Sequence, residues 1–591
     1  MKQFLLTVAG VFVGLALFLI GIPFLLIALA AGAAAPPATP AHAVISMDLR
    51  QGMSDQDSMA ALAVLGGRPS VISTIDTLRR AEKDDKVEAL FVRLPEGGMT
   101  PASADELRGA FKRLRAAGKK VIIHSQGLYP SGQVASTYMV GASADELWMQ
   151  PGAAFQATGV FSEEIFLKRL FDKYGVKPQF AQRAEYKTAI NPYLHDDYTP
   201  AHRESQLSWM GSIYESALAA VAADRKKDAA DLRRVIEAGP YMADDALALG
   251  LIDKVGQVKE AETAALKAAG KGAVVVSFED YAARVRRNAP TLGGPAIAVI
   301  GAEGPIMTGT GERGSPFSTD QVIYSDDVSK SFYDAIKDDD VKAIVFRVSS
   351  PGGSDTASEQ ILAAVRAAKA AGKPVVVSMG AYAASGGYWI SSEASSILSQ
   401  PSTLTGSIGI YGGKFAVGDA LGRFGVDARQ LQIGGDYAGT YSAGEEWTPA
   451  QRAAFERWMD NTYEGFIERV SRGRKLPADR VREIAKGRVW TGAQAKDLGL
   501  VDQIGGFYDA VEQAKTLAKM KGDVRLKRVG GPKSPFEALE RAFGVSAESA
   551  RAVAAAGWLL GDPNAKAIMD EMMDARLRSQ GANVLAPRMV D

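Results

Sequence analysis

Ser385 stands in the run Gly380-Ala381-Tyr382-Ala383-Ala384-Ser385-Gly386-Gly387-Tyr388. Val375–Met379 before it is apolar and β-branched, and Tyr388-Trp389-Ile390 after it is apolar. This order predicts a buried strand ending in glycine, a short turn, and a helix that begins near Ser385. A serine at a helix N-terminus has unpaired N–H groups and the positive end of the helix dipole beside it, so negative charge is favoured there. Gly386 lets a carbonyl group approach the backbone closely, and its N–H is a candidate oxyanion donor. A second donor is expected from Ser349-Ser350-Pro351-Gly352-Gly353-Ser354, which follows a strand at Val341–Val348. Gly353 is the better placed of its two glycines, with Gly352 next. A hydroxyl nucleophile facing two backbone donors is equipped for acyl transfer. The competing reading is that both glycine clusters are only tight turns between strand and helix.

Such a serine needs a base. The chain contains no cysteine, which excludes thiol catalysis, disulfides and cysteine-zinc sites. Its four histidines are His42, His124, His195 and His202, all far before Ser385. A lysine serves when burial lowers its pKa from ~10.4 towards neutrality. Lys187 lies in the moderately polar, strand-like run Phe180–Asn191; a solvated surface lysine is the alternative. Ser131, in Pro130-Ser131-Gly132, is a rival nucleophile, weakened by the proline before it and Gln133 after its glycine. His195 and His202 flank Asp196-Asp197, which hints at a metal but reads more simply as a solvated loop. No His-Glu-x-x-His motif is present.

The elements that must position these residues occur twice. Val87–Gly118 returns as Val341–Gly372, Tyr198-Thr199-Pro200 as Trp447-Thr448-Pro449, and Ala248–Asp253 as Asp497–Asp502. Two copies of one fold follow. In the first, strands are expected at Ala43–Leu49, Val87–Leu94 and Val121–Ser125, and helices at Val71–Asp84 and Ser103–Ala117. Alternation of this kind means a parallel sheet with crossover helices, an α/β class. The lysine slot of the first copy is filled by Ala438 in the second, and the second copy alone has the full serine motif. Arg93 and Arg347 share one repeat position at strand ends, which suggests a scaffold role for both. Asn288–Pro295 reads as a linker and Gly301–Pro316 as a mobile loop. The expected division is an anchor at 1–35, repeats at 43–287 and 296–525, and a helical tail at 526–591, with helical patterns at Pro535–Phe543 and Ser549–Leu560.

Bulk composition excludes some partners. Lys+Arg and Asp+Glu are equal at 68 each, so nothing points to nucleic acid. Phe4–Ala35 carries no charge and is longer than the ~20 apolar residues needed to cross a bilayer. It is expected to be an uncleaved transmembrane helix with the bulk of the chain exported; a cleaved signal ending near Ala35 or Ala43 is the alternative.

Glu185-Tyr186-Lys187-Thr188-Ala189 in the first copy, with Ser350-Pro351-Gly352-Gly353-Ser354, Ala383-Ala384-Ser385-Gly386-Gly387-Tyr388 and Thr405-Gly406-Ser407-Ile408-Gly409 in the second, resembles the long-form bacterial signal peptide peptidases, the SppA or protease IV family. The resemblance covers nearly the whole chain. It implies tandem crotonase-like, Clp-protease-like domains and a serine protease with a Ser/Lys dyad, without metal or other cofactor. By position it makes Ser385 the nucleophile, Lys187 the general base, Gly353 and Gly386 the oxyanion hole, and Ser407 the residue that orients the lysine. It further implies released signal peptides as substrates, a homo-oligomer such as a tetramer, and single-pass attachment to the cell membrane with the catalytic bulk on the extracytoplasmic side. Asn191-Pro192-Tyr193 departs from the family pattern, where a more acidic residue would precede the proline. Two other functions fit parts of the sequence: an acyl-CoA enzyme, since crotonase-like folds also hold thioester oxyanions with paired N–H groups, and a non-catalytic membrane scaffold.

Overall fold

A computed structural model describes residues 39–57, 70–287, 293–311, 321–522, 524–530 and 584–585. The expected anchor at 1–35 and the tail helices at Pro535–Phe543 and Ser549–Leu560 lie outside these residues. Among the described residues no helix is long and apolar enough to cross a membrane.

The chain builds two mainly parallel sheets that share one strand order, the second extended beside Val375–Ala384 by Leu404–Gly406 and, antiparallel to it, Val489–Thr491. The first runs Lys254–Val255, Glu146–Met149, Lys120–Ser125, Val87–Arg93, Ala43–Asp48, Val274–Ser277. The second runs Gln503–Ile504, Ser396–Ser399, Val375–Ala384, Val341–Ser350, Ala296–Glu303, Arg525–Val529. Even an irregularity repeats. The register slips between Ala43 and Val44 opposite Val87 and Ala89, and again between Ala296 and Ile297 opposite Val341 and Ala343. The Arg525–Val529 strand crosses the expected end of the second repeat and closes its sheet. Gly301–Glu303, expected within a loop, instead completes the Ala296–Glu303 strand, because its residues pair with Arg347–Ser349.

Matching tethers hold each copy. Tyr138 and Tyr388 donate from their hydroxyls to the carbonyls of Leu251 and Leu500, both at 2.9 Å. Arg225 grips Asp253 and Arg474 grips Asp502 with two guanidinium nitrogens each. Both aspartates also accept a strand N–H, from Leu147 or Ile397. The Asp-bearing segments recognised as repeats in the sequence are therefore latches on the neighbouring strand.

The copies stack rather than sit as beads. Helix Phe507–Leu517 of the second packs against helices Val71–Lys83 and Pro101–Ala116 of the first, with Arg79 over the Tyr508 ring at 4.1 Å. Within this seam Arg347 is buried. Its guanidinium donates to both Asp55 oxygens at 2.9 and 2.5 Å, to Glu106 Oε1 at 3.0 Å and to Ser378 Oγ at 2.8 Å. Burial pushes the Glu106 carboxyl above its usual range despite the facing guanidinium. Arg93, its repeat equivalent, is only half-buried and reaches Gln126. The shared position thus carries two roles. Arg347 joins the copies through carboxylates contributed by the other copy, and among the described residues no carboxylate pairs with Arg93.

Removing one partner from a buried ion cluster leaves charge uncompensated and costs about 3–5 kcal/mol. Arg347→Met should lower the unfolding free energy by about that much in a urea titration with unchanged slope. Adding Asp55→Asn and Glu106→Gln to it should recover part of the loss, because the stranded carboxylates are then gone.

Candidate active site

The Val375–Ala384 strand continues to Ser385, with a register shift between Met379 and Ala383 where it pairs with Val348 and Ser350; the turn expected after Gly380 is absent. Strand edges at Tyr382–Ala384 are occupied by pairing with Leu404–Gly406, which keeps the segment extended. The reversal into the helix Gly386–Ser391 is made at Ser385 itself, with φ 56° and ψ −118°. That backbone is unusual for a residue with a side chain and is held by surrounding hydrogen bonds. The Ser385 N–H donates to the Gly406 carbonyl at 2.8 Å, and its carbonyl accepts from Trp389 N–H at 2.9 Å. Ser407, one residue past the Leu404–Gly406 strand, is likewise left-handed, at φ 49°.

Glycine spacing decides what can approach. A Cβ on Gly386 would lie 3.0 Å from the Gly353 nitrogen and 3.2 Å from Gly352 Cα. One on Gly353 would strike the Ile306 carbonyl oxygen at 2.1 Å. The turn after Val341–Ser350 therefore nests on the start of the Ser385 helix, and the Gly353 and Gly386 backbones meet.

Lys187 arrives from the other copy. Its strand, Lys177–Arg183, pairs antiparallel with Ile410–Ala416 of the second copy. Phe180 and Tyr193 pack edge-to-face with Phe415 across this seam, with ring centroids 5.0 and 5.4 Å away. The strand-like run expected through Asn191 stops at Arg183, and Lys187 lies in the turn before a 3-10 helix at Thr188–Ile190. Its Nζ is 2.7 Å from Ser385 Oγ and 2.9 Å from Ser407 Oγ, and it donates to the Ser407 carbonyl at 3.0 Å. Lys187, Ser385 and Ser407 are all buried. Burial holds the Lys187 pKa well below the ordinary lysine value, and no carboxylate pulls it back.

A backbone bracket from the second copy supports this lysine and escaped the sequence reading. Tyr186 N–H donates to Lys486 O at 3.1 Å, Gly487 N–H to Ile408 O at 2.8 Å, and Ser407 N–H to Arg488 O at 2.7 Å. A Cβ on Gly487 would fall 2.5 Å from Lys187 Cβ, and one on Gly409 would fall 2.7 Å from Gly487 Cα. Arg488 pairs with Glu204 at 2.6 Å and stacks over Tyr186 at 4.9 Å, tying the bracket to the first copy. In sequence, Gly487 was one glycine among 61.

The rival residues lie elsewhere. Ser131 is exposed and precedes helix Val134–Ala142, whose cap is Gln133. His195, Asp196 and Asp197 form a solvated loop, whereas His202 is buried in helix Pro200–Arg225, 3.1 Å from Glu164. Among the described residues no three His, Asp or Glu side chains are grouped as a metal ion would require.

The pattern of Peptidase family S49 matches residues 113–271 and again 367–521. The first match contains Lys187; the second contains Ser385, Gly386, Ser407 and Gly487. "Protease 4" of Salmonella typhi is 34% identical over 466 residues, covering 76% of this chain and 72% of that protein. "Protease 4" of Haemophilus influenzae is 32% identical over 491 residues, covering 79% and 77%. "Serine protease SPPA, chloroplastic" of Arabidopsis thaliana is 26% identical over 493 residues, covering 82% and 70%.

The backbone at Ser385 is testable apart from its hydroxyl. Ser385→Ala keeps the strain and Ser385→Gly relieves it, while both lose Oγ. The glycine variant should be the more stable by about 1–2 kcal/mol in thermal unfolding, the strain relieved less the entropy of glycine. Equal stabilities would mean that the strain is no larger than the entropy cost of glycine, about 0.5–1 kcal/mol.

Proposed function

The chain belongs to peptidase family S49 and is a serine peptidase acting on peptides, and from that premise we propose that Ser385 is the nucleophile and Lys187 its general base. The observation that carries this is the 2.7 Å approach of a buried lysine Nζ to Ser385 Oγ. Ser407 aims the amine, through one contact to its hydroxyl and one to its carbonyl. In acylation, neutral Lys187 takes the Ser385 proton as Oγ attacks the scissile carbonyl. The N–H groups of Gly353 and Gly386 receive the oxyanion. The ammonium then protonates the leaving amine, and a water activated by the same lysine releases the acyl group.

Released signal peptides are the proposed substrates, because one relative, 30% identical over 31% of this chain, is called "Putative signal peptide peptidase SppA" and the apolar Phe4–Ala35 run suits an enzyme working at a membrane. The proposed topology is a single-pass anchor with the catalytic bulk on the extracytoplasmic side. The proposed architecture is a crotonase-like pair of repeats. A homo-oligomer, of which a tetramer is one form, is supported by an apolar surface no described element covers: Phe424, Leu431 and Ile433 are 79%, 100% and 99% exposed. A chain starting near Ala43 should remain oligomeric in light scattering, and Leu431→Asp with Ile433→Asp should shift it to smaller species.

Ser385→Ala and Lys187→Ala should each remove nearly all turnover, while Ser131→Ala should not. Lys187→Arg should not rescue, because guanidinium stays protonated. Ser407→Ala should lower turnover less than either dyad change. Wild-type activity should rise with pH through an apparent pKa well below ~10.4, since only neutral Lys187 can accept the proton. The same depressed pKa makes the protonated side chain costly in the folded state. That cost is greatest at low pH and vanishes as pH approaches the unfolded value of ~10.4. Lys187→Met should therefore be inactive yet more stable than wild type at neutral pH, with the gain shrinking in alkali. A Lys187→Arg chain with wild-type rates would sink the assignment.

A further inference from the structure

Internal repetition separates the residues the scaffold needs from those the chemistry needs. The latch residues Tyr138, Arg225 and Asp253 recur in the second copy as Tyr388, Arg474 and Asp502. Four residues at the Lys187 seam do not recur. Lys187 itself gives way to Ala438. The Ala154–Phe155 strand pairs with Tyr241–Met242 as Leu404–Gly406 pairs with Val489–Thr491, which puts Ala157 where Ser407 stands. Aligned on Thr199-Pro200 with Thr448-Pro449 and on Asp253 with Asp502, the copies place Ala453 at the Glu204 position and Gly239 at that of Arg488. Where the lysine is lost, the other three polar side chains are lost with it. The Arg488–Glu204 pair therefore sorts with the base and its neighbouring serine, not with the scaffold.

Its geometry gives the reason. Both terminal guanidinium nitrogens of Arg488 donate to the Glu204 carboxylate, at 2.7 and 2.6 Å. The guanidinium also lies over two rings, Trp490 at 4.3 Å and Tyr186 at 4.9 Å. Tyr186 directly precedes Lys187, and Trp490 belongs to the strand paired with Leu404–Gly406, after which Ser407 turns. One side chain thus holds the residue before the lysine, the strand that supports Ser407 and, through Glu204, the helix Pro200–Arg225 of the first copy. Its own carbonyl takes the Ser407 N–H at 2.7 Å. We propose that Arg488 and Glu204 are positioning residues for the reaction, clamping the Lys187 turn so that Nζ stays on Ser385 Oγ and out of water. The inference rests on the reading of Lys187 as the base. The charges around the turn come in pairs: Arg488 with Glu204, Glu185 with Lys486 at 3.0 Å, and Arg183 with Asp460 at 2.5 Å. Tyr463, which accepts the Lys486 N–H, adds a phenol that burial makes harder to ionise. Opposite charges so close leave little net field at Lys187. The clamp acts on the amine through placement and dryness.

The test follows kcat and KM for a model peptide against pH, with the full-length chain. Arg488→Met should lower kcat at neutral pH about 10–100-fold with KM unchanged, since a small displacement of the base costs that much. It should also move the acid limb of kcat towards the ordinary lysine value, because a wetter amine holds its proton to higher pH. Arg488→Lys should do the same, since an ammonium keeps the charge but neither forks nor stacks. Glu204→Ala, at a half-exposed site, should reproduce both effects. Adding it to Arg488→Met should change little more, because the two act as one unit. Arg225→Met breaks a latch instead; it should lower the unfolding temperature and leave the limb in place. An unmoved limb in Arg488→Met or Glu204→Ala, or wild-type kcat in Arg488→Lys, would overturn the clamp. Activity surviving Lys187→Ala would sink the base assignment itself, whereas an inactive Lys187→Ala chain beside an unmoved limb sinks the clamp alone.

Discussion

The Lys187 amine is kept away from water, and this constraint organises the molecule. Lys187 is dry because each copy supplies part of its enclosure. The first copy provides the turn that presents it. The second provides Ser385, Ser407 and the bracket Lys486–Arg488. Neither sheet alone could bury an amine in this way, since its walls are the seam between them. The antiparallel pairing of Lys177–Arg183 with Ile410–Ala416 brings the turn in, and the Arg347 cluster fixes how the copies stack.

Duplication explains how such a seam arises without a new fold. The latches Tyr138 to Leu251 and Tyr388 to Leu500, with Arg225–Asp253 and Arg474–Asp502, are the same device kept twice, because each sheet needs its own end strand secured. Positions facing the seam have diverged. Arg347 meets carboxylates while Arg93 does not. The Lys120–Ser125 strand is short, while its counterpart runs to Ala384 and delivers Ser385. Divergence is concentrated where one copy touches the other.

Much of this was legible beforehand. Repeated strand and helix patterns pointed to two α/β copies, and apolar strands followed by glycine turns marked both Ser385 and Gly352-Gly353. Lys187 stood out only through its motif companions, since a lysine in a polar run looks like a surface residue. What the sequence hid was tertiary. The left-handed backbone of Ser385 depends on strand pairing at Tyr382–Ala384. The partners of Arg347 come from residues about 240 to 290 positions away. Gly487 matters because of what lies 2.5 Å from its missing Cβ, and no local pattern encodes that.

The division of the proposed Ser385–Lys187 dyad between copies also sets an order in time. Synthesis delivers the lysine half first, and the proposed base then has no hydroxyl to activate. Ser385 follows, yet the bracket that backs Lys187 and holds Ser407 is not made until Arg488 has been added. A growing chain is therefore chemically silent for most of its length. With that dyad, a peptidase that would otherwise meet its own unfolded segments, or those of chains passing beside it, gains its chemistry only when both halves have been made and have closed on each other.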